Sequence, residues 1–215
     1  MASSNFMYDL DTKEYLSNKL KNLSKRHDQV PVAGCSSSSK ESVQELEKEI
    51  LYWRQLACQD DLTKLPNRRA FYFTIESYLR KADDQAEKVA FFYIDINQFK
   101  LLNDTYGHCE ADKLLQELGR RLQAFSAVEE VFHFSGDEFV IIYRYQNDFR
   151  LKISNILSTC NKPFQLANEE IKINISIGTS LYPVHSTDVA TLLEYADSAM
   201  YSAKRSKNNT YYLYQ

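Results

Sequence analysis

The sequence predicts an α+β fold: a central, mostly antiparallel sheet surrounded by helices in a ferredoxin-like manner, preceded by a helical N-terminal extension. Three observations carry that expectation. From residue 60 onward, apolar runs of strand length alternate with segments of helical periodicity. One acidic turn, SGDE, lies between two apolar runs within 131–144, the pattern of a hairpin. Residues 1–58 differ in character, with helical spacing interrupted by a serine-rich stretch.

Taken in order, Leu10, Tyr15, Leu16, Leu20 and Leu23 predict an amphipathic helix over 8–26. The stretch 30–39, which contains PVAGCSSSS, has the composition of a flexible linker. Ser38 and Glu41 then form a capping-box pattern. Val43, Leu46, Ile50, Trp53 and Ala57 follow at alternating intervals of three and four, a short coiled-coil-like helix over 40–58. That seam suits either packing on the globular domain or a parallel pairing of two copies. The globular domain is expected over 59–215. Its predicted elements are a helix over 67–82 with Phe71, Ile75 and Leu79 on one face, and a buried strand over 89–94. A helix over 113–125 (Leu114, Leu115, Leu118, Leu122) precedes the hairpin at 131–144. A helix over 149–157 and a strand over 171–181, with Ile173, Ile175 and Ile177 on one face, come next. A helix over 188–204 and a last strand over 210–214 complete the chain.

The composition bounds the function. Of the 215 residues 44% are hydrophobic and 26% charged, ordinary for a globular protein. Lys and Arg number 26 against 29 Asp and Glu, a net charge of -3, so no broad basic face is available and nucleic acid is not an expected partner. A single nucleotide needs only a few local cations. No apolar run reaches membrane length and the N-terminus is polar and acidic, so a cytoplasmic protein without a membrane partner is expected. Cys35, Cys58, Cys109 and Cys160 are scattered with no CxxC pair, which indicates neither a zinc site nor a disulfide framework.

The chemistry concentrates in two places. In VFHFSGDEFVII, Ser135-Gly136 can reverse the chain and places Asp137 and Glu138 at the tip. In FFYIDINQFKLLNDTYGH, an apolar strand ends at Asp95. A carboxylate there is costly unless it holds a cation, or caps the following helix. Asp95, Asp137 and Glu138 together would offer hard oxygen ligands to Mg²⁺, which completes its shell with water and phosphates. Lys100 can point a charge at the same mouth. Asn103 and Asp112 are nine residues apart, and Gly107 can break the chain so that the two fold together. A carboxylate that accepts from N1-H and the amino group, with an amide beside it, suits guanine and not adenine. The plainer roles for the pair are a C-cap and a charge near a helix N-terminus.

These segments resemble a known family. DDLTKLPNRR, DINQFKLLNDTYGHCEAD, FSGDEF, SIGTSLYP and ADSAMYSAK are similar, in order and spacing, to the blocks of GGDEF domains over roughly 155 residues, here with a variant SGDEF signature. The resemblance implies a nucleotidyl-cyclase or palm-like fold and diguanylate cyclase activity, the condensation of two GTP into cyclic di-GMP with release of pyrophosphate. It implies two Mg²⁺ per site, with Mn²⁺ as an alternative, held by Asp95, Asp137 and the Ile96 carbonyl. It further implies Asp137 or Glu138 as the group that deprotonates the attacking hydroxyl, and Lys100, Asn103, His108, Asp112, Gly136 and Lys204 as substrate-binding residues. Each subunit would hold one GTP. A homodimer is therefore expected, through the N-terminal helix and face-to-face catalytic domains, with residues 1–30 as a candidate docking segment for another protein.

Four departures qualify the match. Ser135 replaces the signature's first glycine and would cost about 1–2 kcal/mol if that position needed a positive φ. His133 stands where an arginine is usual. Lys207-Asn208-Asn209 replaces Gly-Arg-Asn, removing a phosphate-binding arginine that Lys207 could partly replace. Ser126-Ala127-Val128-Glu129 replaces the Arg-x-x-Asp of the inhibitory product site, so product inhibition there is not expected. The second functional reading is accordingly a catalytically weak or silent GGDEF-like module that binds GTP or a protein.

Overall fold

The computed structural model describes residues 46, 48–53, 56–124, 130–167, 169–206 and 211–215. The chain divides into two units, Met1–Ala57 and Cys58–Gln215. In the first, the described residues from 46 to 57 are helical, and Leu46, Ile50 and Trp53 of the seam are exposed. The predicted helix at 8–26, the linker and the capping box lie outside the described residues.

The second unit runs through α1 (Arg68–Asp84), β1 (Lys88–Ile96), α2 (Phe99–Tyr106), α3 (His108–Gln123), β2 (Val131–Ser135), β3 (Glu138–Tyr145), α4 (Arg150–Cys160), β4 (Phe164–Leu166), β5 (Glu169–Ile171), β6 (Ile175–Tyr182), α5 (Val189–Arg205) and β7 (Tyr211–Leu213). Five strands form one sheet in the order β2-β3-β1-β6-β7, with β4 and β5 as a separate small hairpin. Every pair in the large sheet is antiparallel except β6 with β7, so the sheet is mixed only at that edge.

Local chemistry sets the helix starts. Asn67 caps α1 by accepting from the Ala70 amide, and Asp188 caps α5 by accepting from the Thr191 amide. Helices cover both faces of the sheet. On one face Phe92, Ile94 and Ile96 pack with Leu114, Leu118 and Leu122 of α3. On the other, Val89 and Phe91 pack with Phe71, Ile75 and Leu79 of α1 and with Leu192 and Ala196 of α5. Strand β1, central and covered on both sides, therefore reads as the continuous apolar run VAFFYI and not as an alternation.

Two boundaries differ from the sequence reading. The strand expected over 171–181 is broken: β5 ends at Ile171 and β6 begins at Ile175. Ile173, Ile175 and Ile177 still share one core cluster, yet every residue of β6 is buried because helices cover both of its sides. Helix α3 begins at His108, earlier than residue 113, because Gly107 (φ 81°) ends one helix and opens the next. The first turn of α3 carries little apolar signal to betray it.

Gly178 fixes how α5 meets the sheet. A Cβ there would lie 1.9 Å from the Ala196 carbonyl oxygen and 2.1 Å from the Met200 nitrogen. The α5 backbone thus rests directly on β6, and the C-terminal turn of α5 brings Lys204 to the end of β1.

Candidate functional site

The carboxylates converge through strand register. Asp95, next to last in β1, pairs with Glu138 of β3 on one side and Ser176 of β6 on the other. Glu138 is therefore the first residue of β3 and not part of the tip; the turn itself is Gly136-Asp137, and both acids are half-buried. Asp95 is only 5% exposed, and its Oδ2 lies 2.5 Å from Lys204 Nζ. Its Oδ1 is buried and has no hydrogen-bond partner among the described residues. Burial pushes the Asp95 carboxyl up to about 6, with the charges of Asp137 and Glu138 adding to the rise and Lys204 opposing it. Burial likewise raises Asp137, and it raises Asp197 of α5, which also feels Glu138 and Lys204.

An acid that stays costly to ionise even beside a lysine has the chemistry of a cation ligand. Among the described residues no group of three His, Cys, Asp or Glu side chains forms a cage for one. Asp95, with the charges of Asp137 and Glu138 close by, offers hard oxygen ligands of the kind Mg²⁺ takes, an ion that completes its shell with water and phosphate. The partnerless Asp95 Oδ1 is the atom that fits it.

The turn resolves two of the departures. The left-handed residue is Gly136 (φ 52°), and Ser135 is not among the positive-φ residues. The strain expected at Ser135 is therefore absent, because the second position of the signature makes the reversal and the first stays in β2. The Ser135 hydroxyl donates to Glu138 Oε2 at 2.8 Å, and the Tyr93 hydroxyl donates to the same oxygen at 3.2 Å. His133 is buried and stacked on Phe139. Its Nε2 lies 2.9 Å from the Gly136 carbonyl oxygen, and its Nδ1 lies 2.9 Å from Asp60 Oδ1 without the alignment of a full hydrogen bond. Asp60 also accepts from the amide and hydroxyl of Thr63, each at 2.7 Å. Burial pushes its carboxyl up, but the Thr63 bonds and His133 outweigh that and hold it below the usual range. Histidine thus ties the acidic turn to the DDLTKL loop.

Asn103 and Asp112 sit on two helices broken at Gly107, as the glycine signal implied. Asn103 lies in the last turn of α2, and His108 and Asp112 in the first turns of α3, with the Gly107 amide donating to the Asn103 carbonyl oxygen. Among the described residues neither side chain of the pair bonds to a protein group; Asp112 is exposed and Asn103 half-buried. Lys100 is exposed on α2, on the same face as Asn103 by helical spacing. Against the opposite face of α2 lies a cavity of about 690 Å³, lined by Leu101, Leu102, Lys172, Asn174 and Lys204 among others. Segments 126–129 and 207–209 lie outside the described residues.

Four neighbours of the site escaped the sequence reading. Asp197 stands seven residues before Lys204 on α5, two helical turns, so ADSAMYSAK carried that signal. Tyr93, two before Asp95, shares its strand face. The pairing of Asp60 with His133 and the approach of Lys172 had no local signal.

Residues 57–210 match the family described as "Diguanylate cyclase, GGDEF domain". The chain is similar to the bifunctional diguanylate cyclase/cyclic di-GMP phosphodiesterase MucR of Pseudomonas aeruginosa, 34% identical over 75% of this chain and 24% of that protein. It is similar to the cyclic di-GMP phosphodiesterase PdeR of Escherichia coli, 34% identical over 70% of this chain and 23% of that protein. It also matches the diguanylate cyclase TpbB of Pseudomonas aeruginosa, 34% identical over 69% of this chain and 35% of that protein. The solved TpbB structure comprising only the GGDEF domain superposes with a TM-score of 0.67 at 32% identity, over 73% of this chain and 94% of that one. The chain thus spans a quarter to a third of the length of these curated relatives. Among the described residues no helix is long and apolar enough to cross a membrane.

Proposed function

Because this chain belongs to the GGDEF family, we propose that it is a diguanylate cyclase, condensing two GTP into cyclic di-GMP with release of pyrophosphate as a dimer. The observation that carries the reading is the buried, cation-seeking Asp95 beside Asp137, Glu138 and Lys204. In a silent module such a carboxylate would be a destabilising group with no role.

Each residue has a task in this reading. Asn103 and Asp112 receive the guanine edge, with His108 beside them. Lys100 and Lys204 neutralise phosphate charge, and Gly136 lets the turn approach the phosphates closely. Asp137 or Glu138 takes the proton of the ribose 3′-hydroxyl that attacks the α-phosphorus of the other GTP. Two Mg²⁺, or Mn²⁺ in their place, held by Asp95, Asp137 and the Ile96 carbonyl, would supply charge neutralisation at the phosphates. One GTP per subunit requires two subunits face to face, a role the exposed seam residues Leu46, Ile50 and Trp53 suit. Residues 1–30 are proposed as a docking segment for a protein partner.

A second reading is favoured by the similarity to PdeR, a cyclic di-GMP phosphodiesterase by name. It casts the domain as a GTP-binding regulator without turnover. Incubation with GTP and Mg²⁺, followed by mass analysis of the product, separates the two. Cyclic dinucleotide supports the cyclase, and GTP binding without product supports the regulator.

A further inference from the structure

Glu138 sits among like charges. Asp95 is its strand partner, and Asp137 and Asp197 are close enough to sense its charge. An ionised glutamate so placed would swing toward solvent unless something held it. Two hydroxyls do so, from different strands. Tyr93 comes from β1 and Ser135 from the end of β2, and both donate to Oε2, whereas Oε1 has no hydrogen bond among the described residues. The backbone does not ask for glycine at 135, since the positive φ belongs to Gly136.

We infer that Ser135 and Tyr93 are positioning residues that clamp Glu138 through Oε2 and leave Oε1 as the oxygen available to ligand. The variant signature thus replaces a glycine that could not donate with a serine that does. The consequence for turnover rests on the cyclase reading proposed above; the clamp itself is a property of the ligand-free protein. Hydroxyl donors to a carboxylate are among the stronger side-chain bonds, and they weigh more where the acceptor is half-buried.

Two measurements test it on the full chain. In a cyclase assay, Ser135→Ala and Ser135→Gly each lower kcat about five- to tenfold with KM for GTP within about twofold, because Glu138 does not touch the base. Ser135→Thr, which keeps the hydroxyl, recovers most of the rate. Tyr93→Phe has a smaller effect, in line with its longer bond, and the double variant loses more than the product of the singles. A structural role alone would move thermal stability and leave this kcat-against-KM split and the Thr rescue unexplained. In the absence of any nucleotide, a denaturant double-mutant cycle over Ser135→Ala and Glu138→Gln gives a coupling of about threefold or more in the unfolding equilibrium. A cycle with no coupling overturns the clamp whether or not the protein is a cyclase. A Ser135→Gly protein as fast as the parent overturns its role in turnover. Absence of product from the parent protein defeats the cyclase reading alone, and the cycle then still decides the clamp.

Discussion

Replacing Asp95 with asparagine separates the functional account from a structural one, because the two predict opposite changes in stability. The Asp95 carboxyl sits at about 6 against an ordinary 3.8, with the Lys204 ion pair already included. At about 1.36 kcal/mol per pKa unit, ionising it in the folded protein at neutral pH costs about 3 kcal/mol at most. Asparagine keeps the shape and removes the charge. It leaves Lys204 without its partner, but that side chain is one-third exposed, so water takes over. The net expectation is about 1–2 kcal/mol of stabilisation in chelator at pH 7.5. The sign follows from linkage. A raised carboxyl binds its proton more tightly in the folded state, so the parent protein's advantage is complete below 3.8 and lost as pH rises through about 6. The asparagine variant should therefore gain on the parent at pH 7.5 and much less at pH 5, read by urea unfolding. Mg²⁺ with GTP should raise the midpoint of the parent but not of the variant, and turnover should fall about a thousandfold or more. A variant less stable than the parent at pH 7.5 in chelator would make Asp95 a structural residue and not a cation ligand.

Other substitutions probe the scaffold and the specificity. Gly178→Ala drives a Cβ into the α5 backbone at Ala196 and Met200 and should cost about 3 kcal/mol or more, seen in chemical denaturation, since neither neighbour can rotate away. His133→Ala frees the Gly136 carbonyl from Asp60 and should lose about 1–2 kcal/mol of stability and about tenfold in kcat, measured by unfolding and initial rates. Asp112→Asn replaces one of the two acceptor oxygens proposed for the guanine N1-H and amino group with an NH2 donor and removes the charge. It should raise KM for GTP about tenfold or more while leaving unfolding within about 0.5 kcal/mol, because the side chain is exposed and bonds to no protein group among the described residues.

Much of this architecture could be read from the chain because the relevant signals are local. VAFFYI announced a strand covered on both faces, Gly107 announced the break between α2 and α3, and the acidic run after Ser135-Gly136 announced the hairpin. What could not be read depends on register and long-range packing. That Glu138 opposes Asp95, with Asp137 alone in the turn, follows from the pairing of β1 with β3. The positive φ lies at Gly136 and not at 135, a detail that removes the strain expected of Ser135 and that two adjacent small residues cannot reveal. His133 looked like a loss relative to arginine, yet Asp60, distant in sequence, lies beside its ring. The break before β6 was hidden because Ile173 continues the same buried face as Ile175 and Ile177.

Two copies of this site are proposed to meet and make cyclic di-GMP. The direct measurement is product formation from GTP and Mg²⁺ across a dilution series of the purified protein, with the dinucleotide identified by mass. Cyclic di-GMP is expected at a specific activity that rises with protein concentration, as two half-sites assemble. No cyclic dinucleotide at any concentration, from protein shown to be folded, would contradict it.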